Sequence, residues 1–113
     1  MKYLKLVFAV GLVSIAPAIH AQVTEETCSE YGALAKMLME ARQAGVITLE
    51  EQLKILNKVY EGSPPTALKQ MAIEAWDRPL MRTDEHKQRY ITEFENKWFG
   101  SCMKVVVARE GAE

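Results

Sequence analysis

The sequence predicts an all-α protein: a small four-helix antiparallel bundle, closed by one disulfide and preceded by a signal peptide. Three observations lead there. Apolar residues recur at three- and four-residue steps through most of the chain, punctuated by helix-capping and helix-stopping residues. No stretch shows a credible strand pattern, and Val105-Val106-Val107 reads as the fraying end of a helix. Cys28 and Cys102 fall where an antiparallel bundle brings the chain back to one end.

Taken in order, the chain opens with an export signal over residues 1–21. Lys2 and Lys5 form a basic start, Leu6 to Ile19 is apolar apart from Ser14, and Ala21 offers a small residue for cleavage. The apolar run, about 14 residues, is shorter than the ~20 needed to span a bilayer. Cleavage after Ala21 leaves residues 22–113 as a single helical domain of 92 residues. Cleavage after Ala18 is the alternative. The sequence thus predicts a periplasmic or secreted protein with no stable membrane span after cleavage.

The first helix is predicted from about Glu25 to Ala44. Thr24 is its N-cap, and Glu25 and Glu26 suit the positive end of the helix dipole. Val23 and Cys28 hold the positions of a hydrophobic staple. Cys28, Tyr31, Ala35, Leu38 and Ala41 mark the buried face, and Gly45 is the left-handed stop. Thr48-Leu49-Glu50-Glu51 then forms a capping box for a second helix with the stripe Leu49, Leu53, Leu56 and Tyr60, which Gly62 ends.

Ser63-Pro64-Pro65 starts the third helix, with serine as cap and proline in the first turn. Its apolar face is Leu68, Met71, Ala72, Ala75 and Trp76. Asp77-Arg78-Pro79 breaks it, because the residue before proline avoids helical angles. The fourth helix begins after Thr83, carries Tyr90, Phe94, Trp98, Cys102 and Val105 or Val106 on one face, and reaches about Val107.

Two cysteines in a small exported domain read as a disulfide. A Cys28–Cys102 bond encloses 73 residues. Chain-entropy reasoning assigns such a crosslink roughly 4 kcal/mol. No C-x-x-C spacing is present to activate a thiol.

Composition narrows the function. The 113 residues are 26% charged and 49% hydrophobic with a formal charge of −1, which suits a folded domain and offers no electrostatic handle for nucleic acid. Without Lys2 and Lys5 the chain keeps 12 basic and 15 acidic residues, a net charge of −3. No catalytic residue and no cofactor- or metal-binding residue emerges. His86 is the single histidine of residues 22–113, and neither H-x-x-x-H nor E-x-x-H occurs. No G-x-S-x-G turn or glycine-rich phosphate loop is present. The acidic pairs Glu50-Glu51 and Glu93 with Glu95 read as caps and solvated faces. Methionines 37, 39, 71, 81 and 103 read as packing.

One segment mixes cationic and apolar groups as binding surfaces do: Arg78-Pro79-Leu80-Met81-Arg82, beside Trp76. Trp76, Arg78, Met81 and Arg82 are therefore the candidate partner-binding residues. The competing reading makes Trp76 core and the arginines solvated. Arg42-Gln43, closing the first helix, is the next place to look.

Cys28, Ala41-Arg42-Gln43-Ala44-Gly45-Val46, Glu74-Ala75-Trp76-Asp77-Arg78-Pro79 and the stretch from Phe94 to Cys102 together resemble small exported two-cysteine helical proteins of Gammaproteobacteria and their phages or prophages. In those proteins an A-R-Q-x-G-V stretch follows the first cysteine, an E-A-[YW]-x-x-P stretch lies mid-chain, and an aromatic-rich helix carries the second cysteine. The resemblance covers nearly all of residues 22–113. It implies export, the disulfide and the helical fold, and it carries no assigned activity.

The functional expectation is a non-enzymatic periplasmic protein that binds another, as yet unknown, periplasmic protein. A phage or prophage setting favours lysis control, exclusion of other phages, or immunity against a toxin. The alternative is a small periplasmic stress chaperone that loses charge balance at low pH.

Overall fold

The computed structural model describes residues 23–112, so the predicted signal peptide lies outside the described residues. The fold is all-helical, with four helices and no strand among the described residues: α1 (Glu25–Ala44), α2 (Leu49–Val59), α3 (Thr66–Asp77) and α4 (Asp84–Ala112).

Local chemistry sets the helix ends. The Thr24 hydroxyl accepts the Thr27 N–H at 3.2 Å and starts α1. Gly45, at φ 70°, stops it and donates its N–H to the Arg42 carbonyl at 3.1 Å; a left-handed residue there closes the helix with no Cβ penalty. The capping box of α2 is complete. Thr48 Oγ1 accepts the Glu51 N–H at 3.1 Å, and the Thr48 N–H donates to Glu51 Oε1 at 2.8 Å.

The third start differs from the sequence expectation. Ser63 donates its N–H to the Tyr60 carbonyl at 3.0 Å and belongs to the turn that ends α2. Pro65 is the residue before α3, and no side chain caps it. Its carbonyl instead accepts the N–H groups of Leu68 and Lys69 at 3.1 and 3.2 Å. Two prolines in succession hold this entry extended, which leaves Ser63 too far upstream to reach the first amides.

Thr83 caps α4, its hydroxyl accepting the His86 N–H at 3.1 Å. The helix continues past the expected Val107 to Ala112, 29 residues in all, or about 43 Å at 1.5 Å per residue. Ala108, Arg109 and Glu110 are good helix formers, so the polarity of the tail does not end it.

α1 is the hub. It packs most extensively on α4, then on α3, while α2 lies on α3. α1 and α4 are antiparallel: Cys28 near the start of α1 meets Cys102 late in α4, and the Gln43 carbonyl near the end of α1 accepts Lys87 Nζ, early in α4, at 2.7 Å. Gly32, buried on α1, permits the close approach of the two helices; a Cβ there would sit 3.3 Å from Phe99 Cβ.

The main core joins Ala35, Leu38 and Met39 of α1, Leu56 of α2, Leu68, Met71, Ala72 and Ala75 of α3, and Ile91 and Phe94 of α4. Each large apolar side chain so buried contributes about 1.5–3 kcal/mol over its exposed state. A second cluster, Cys28, Cys102 and Val106, sits at the far end of the α1–α4 pair, with Val23 packed on it. Val23 thus packs on the cluster that contains Cys28, its predicted staple partner. The sulfurs of Cys28 and Cys102 are at bonding distance, 2.10 Å, with their Cα atoms 5.4 Å apart.

Candidate partner-binding loop

The connection between α3 and α4 contains the candidate residues, and its shape is set from both sides. Pro79 forces Arg78 out of helical angles, to φ −81° and ψ 147°, and ends α3. The chain then crosses the C-terminal end of α1, where Gln43 receives it. Gln43 Nε2 donates to the Pro79 carbonyl at 2.9 Å, and Gln43 Oε1 accepts the Met81 N–H at 2.8 Å. Arg42 Nε adds a bond to the Arg78 carbonyl at 3.0 Å. The Gln43 side chain, 2% exposed, holds the loop by two main-chain groups two residues apart. Buried amides are retained where both their ends find partners, as here.

The four candidates divide into two kinds. Trp76 is half-buried against the core, and its indole N–H donates to the Ile47 carbonyl at 3.3 Å, tying α3 to the segment before α2. Arg78 is also engaged within the fold. Its guanidinium donates to Glu74 Oε2 at 2.8 Å and lies 5.6 Å from the centre of the Phe94 ring. The same Glu74 oxygen accepts Lys97 from α4. Met81 is half-buried, whereas Arg82 is exposed.

Leu80, inside the segment the sequence singles out but not among its four candidates, also belongs to this surface. It is 47% exposed and packs beside Gly45, whose chain neighbour Val46 is 78% exposed. The available signal was its place in the sequence, an aliphatic residue between Pro79 and Arg82 in a segment with no helical period to bury it. Gln43 was missed as a clamp, although its four-residue spacing from buried Met39 places it on the inner face of α1.

The remaining sequence candidates lie on the surface. His86 is exposed in the first turn of α4, and Glu93 is exposed while Glu95 is half-buried. Glu50 pairs with Lys54 at 3.5 Å with both side chains largely exposed, a contact worth about 0.3–0.5 kcal/mol. Among the described residues no group of three His, Cys, Asp or Glu side chains converges as a metal site requires, and no helix is long and apolar enough to cross a membrane.

No protein-family model matches the chain, and no curated protein and no solved structure matches it either. Two of the stretches quoted for the resemblance, Ala41–Val46 and Glu74–Pro79, are held together in the fold. Arg42 and Gln43 of the first hold Arg78 and Pro79 of the second, and Gly45 leaves room for Leu80.

Proposed function

We propose that this is a non-enzymatic exported protein, periplasmic or secreted, that binds another protein through the α3–α4 loop. The phage-related tasks of lysis control, exclusion or immunity are the setting we favour. The observation that supports the loop is the set of hydrogen bonds that anchors its backbone. Leu80 and Arg82 are displayed on a backbone that Gln43 and Arg42 hold at three carbonyl or amide groups. A loop fixed before its partner arrives loses less conformational freedom on binding, so more of the contact energy remains as affinity. An exposed aliphatic side chain next to a guanidinium suits a partner surface with an apolar pocket rimmed by acceptors.

In this reading Trp76 and Arg78 act as supports, and Leu80, Met81 and Arg82 make the contact. Export is supported by the bonded cysteine pair, which belongs to oxidising compartments. The test is crosslinking and capture from periplasm with the wild-type chain and with a Leu80→Ala/Arg82→Ala variant of unchanged circular dichroism. Loss of a hot spot costs about 2 kcal/mol, so capture of a specific partner is expected to fall roughly 30-fold. Capture at wild-type strength by the folded double variant removes this loop from consideration.

A further inference from the structure

Tyr90, Glu93, Phe94 and Lys97 recur at three- and four-residue steps and so share one face of α4. With Arg78 they line a polar pocket of about 270 Å³. Phe94 is buried in the core, and the Arg78 guanidinium lies 5.6 Å from the centre of its ring. The charges around this pocket are unevenly matched. One oxygen of Glu74, Oε2, accepts both Arg78 and Lys97, so two cations share a single carboxylate. The guanidinium and the ammonium each retain N–H donors beyond that contact. Glu93 stands four residues before Lys97, the favourable helical order for an ion pair, yet Lys97 bonds across to α3 instead. The Glu93 carboxylate and the Tyr90 hydroxyl make no hydrogen bond or ion pair among the described residues.

We propose that this pocket binds a small zwitterion of the α-amino-acid class. The ligand carboxylate takes the unspent donors of Arg78 and Lys97, with the Tyr90 hydroxyl as a further donor. The ligand ammonium faces Glu93. Side chains one helical turn apart have Cβ atoms about 5–6 Å apart, so Glu93 and Lys97 call for opposite charges close together on the ligand. A free amino acid carries both on one carbon. The volume falls just below the roughly 300–1,000 Å³ of pockets that hold drug-sized molecules, which suits a ligand this small. A phosphate or other multiply charged anion meets Glu93 as a like charge and is disfavoured.

The test is an NMR titration of the oxidised, ¹⁵N-labelled protein at neutral pH with L-alanine, N-acetyl-L-alanine, L-alaninamide and inorganic phosphate. L-Alanine is expected to shift the amides of residues 90–97 saturably, with a dissociation constant of about 1 mM for so few atoms. Removing its carboxylate, as in L-alaninamide, is expected to weaken binding about tenfold or more. Removing its ammonium, as in N-acetyl-L-alanine, is expected to weaken binding about threefold, and Glu93→Gln is expected to abolish that difference. Glu93 is exposed, so this variant keeps the fold, which circular dichroism checks. Absence of saturation by L-alanine at about 10 mM overturns the proposal. So does equal affinity for L-alanine and either of its derivatives, or a preference over the N-acetyl form that survives Glu93→Gln. Phosphate binding more tightly than L-alanine also overturns it, because the pocket is then a general anion patch.

Discussion

The side-chain carbonyl of Gln43 accepts the backbone N–H of Met81 at 2.8 Å, joining the end of α1 to a loop 38 residues further along the chain. The other end of the same amide donates to Pro79. One side chain therefore substitutes for the main-chain pairing that an irregular loop lacks.

Gln43→Ala leaves the Met81 N–H and the Pro79 carbonyl without their partner. The expected loss is about 1–3 kcal/mol. In a domain of this size each kilocalorie lowers the melting temperature by about 4–8 °C. Gln43→Glu keeps the acceptor but sets a buried carboxylate against the Pro79 carbonyl, so it is expected to be at least as damaging. Thermal unfolding followed by circular dichroism gives the answer, and a melting curve unchanged in both variants would mean that Gln43 does not hold the loop.

The Cys28–Cys102 bond is expected to leave no thiol titratable with a chromogenic disulfide reagent before reduction. Replacing both cysteines by serine releases a crosslink with a sequence separation of 74. Stability is expected to fall by roughly 4 kcal/mol, read from urea unfolding. Two reactive thiols in protein purified from an oxidising compartment would falsify the pairing.

Two glycines give opposite expectations for the same substitution. Gly100 lies within α4, and a Cβ there meets nothing within 4 Å. Gly100→Ala is expected to stabilise by about 0.5–1 kcal/mol, since alanine loses less backbone freedom on folding. At Gly32 the added Cβ lies 3.3 Å from Phe99 Cβ, an atom fixed to the α4 backbone that no rotamer change can move. Gly32→Ala is expected to be less stable than wild type, because the helices must separate. Melting temperatures in the reverse order contradict this account of the α1–α4 contact.

Processing of the leader is checked by intact-mass measurement on periplasmic protein. The expected N-terminus is Gln22, with Ile19 as the product of the alternative cut. A mature protein that retains Met1 refutes export by signal cleavage.

Elements with chemistry at both ends were legible from sequence. The bounds of α1 follow from Thr24 and Gly45, and the start of α2 from Thr48 and Glu51, because each cap is satisfied within a few residues. The cysteine pair was legible because helix polarity alone returns α4 to the start of α1. What was not legible depends on distant partners. Gln43 makes sense on a buried face only once Pro79 and Met81 arrive there. Arg78 reads as a surface cation until Glu74 and Phe94 are seen to engage it. The end of α4 was misjudged because a polar tail was equated with an unfolded one.

The three turns that join the helices all lie between Cys28 and Cys102. Turns are where proteases find extended, accessible backbone. A single nick at Val46, at Ser63 or at Leu80 would therefore divide the backbone without dividing the molecule, since both pieces stay joined through sulfur and packed over a shared core. Release of a fragment from between the cysteines needs either two cuts in one copy or prior reduction of the bond. Wherever the bond stays oxidised, that requirement lengthens the time for which a nicked chain of this size remains in one piece.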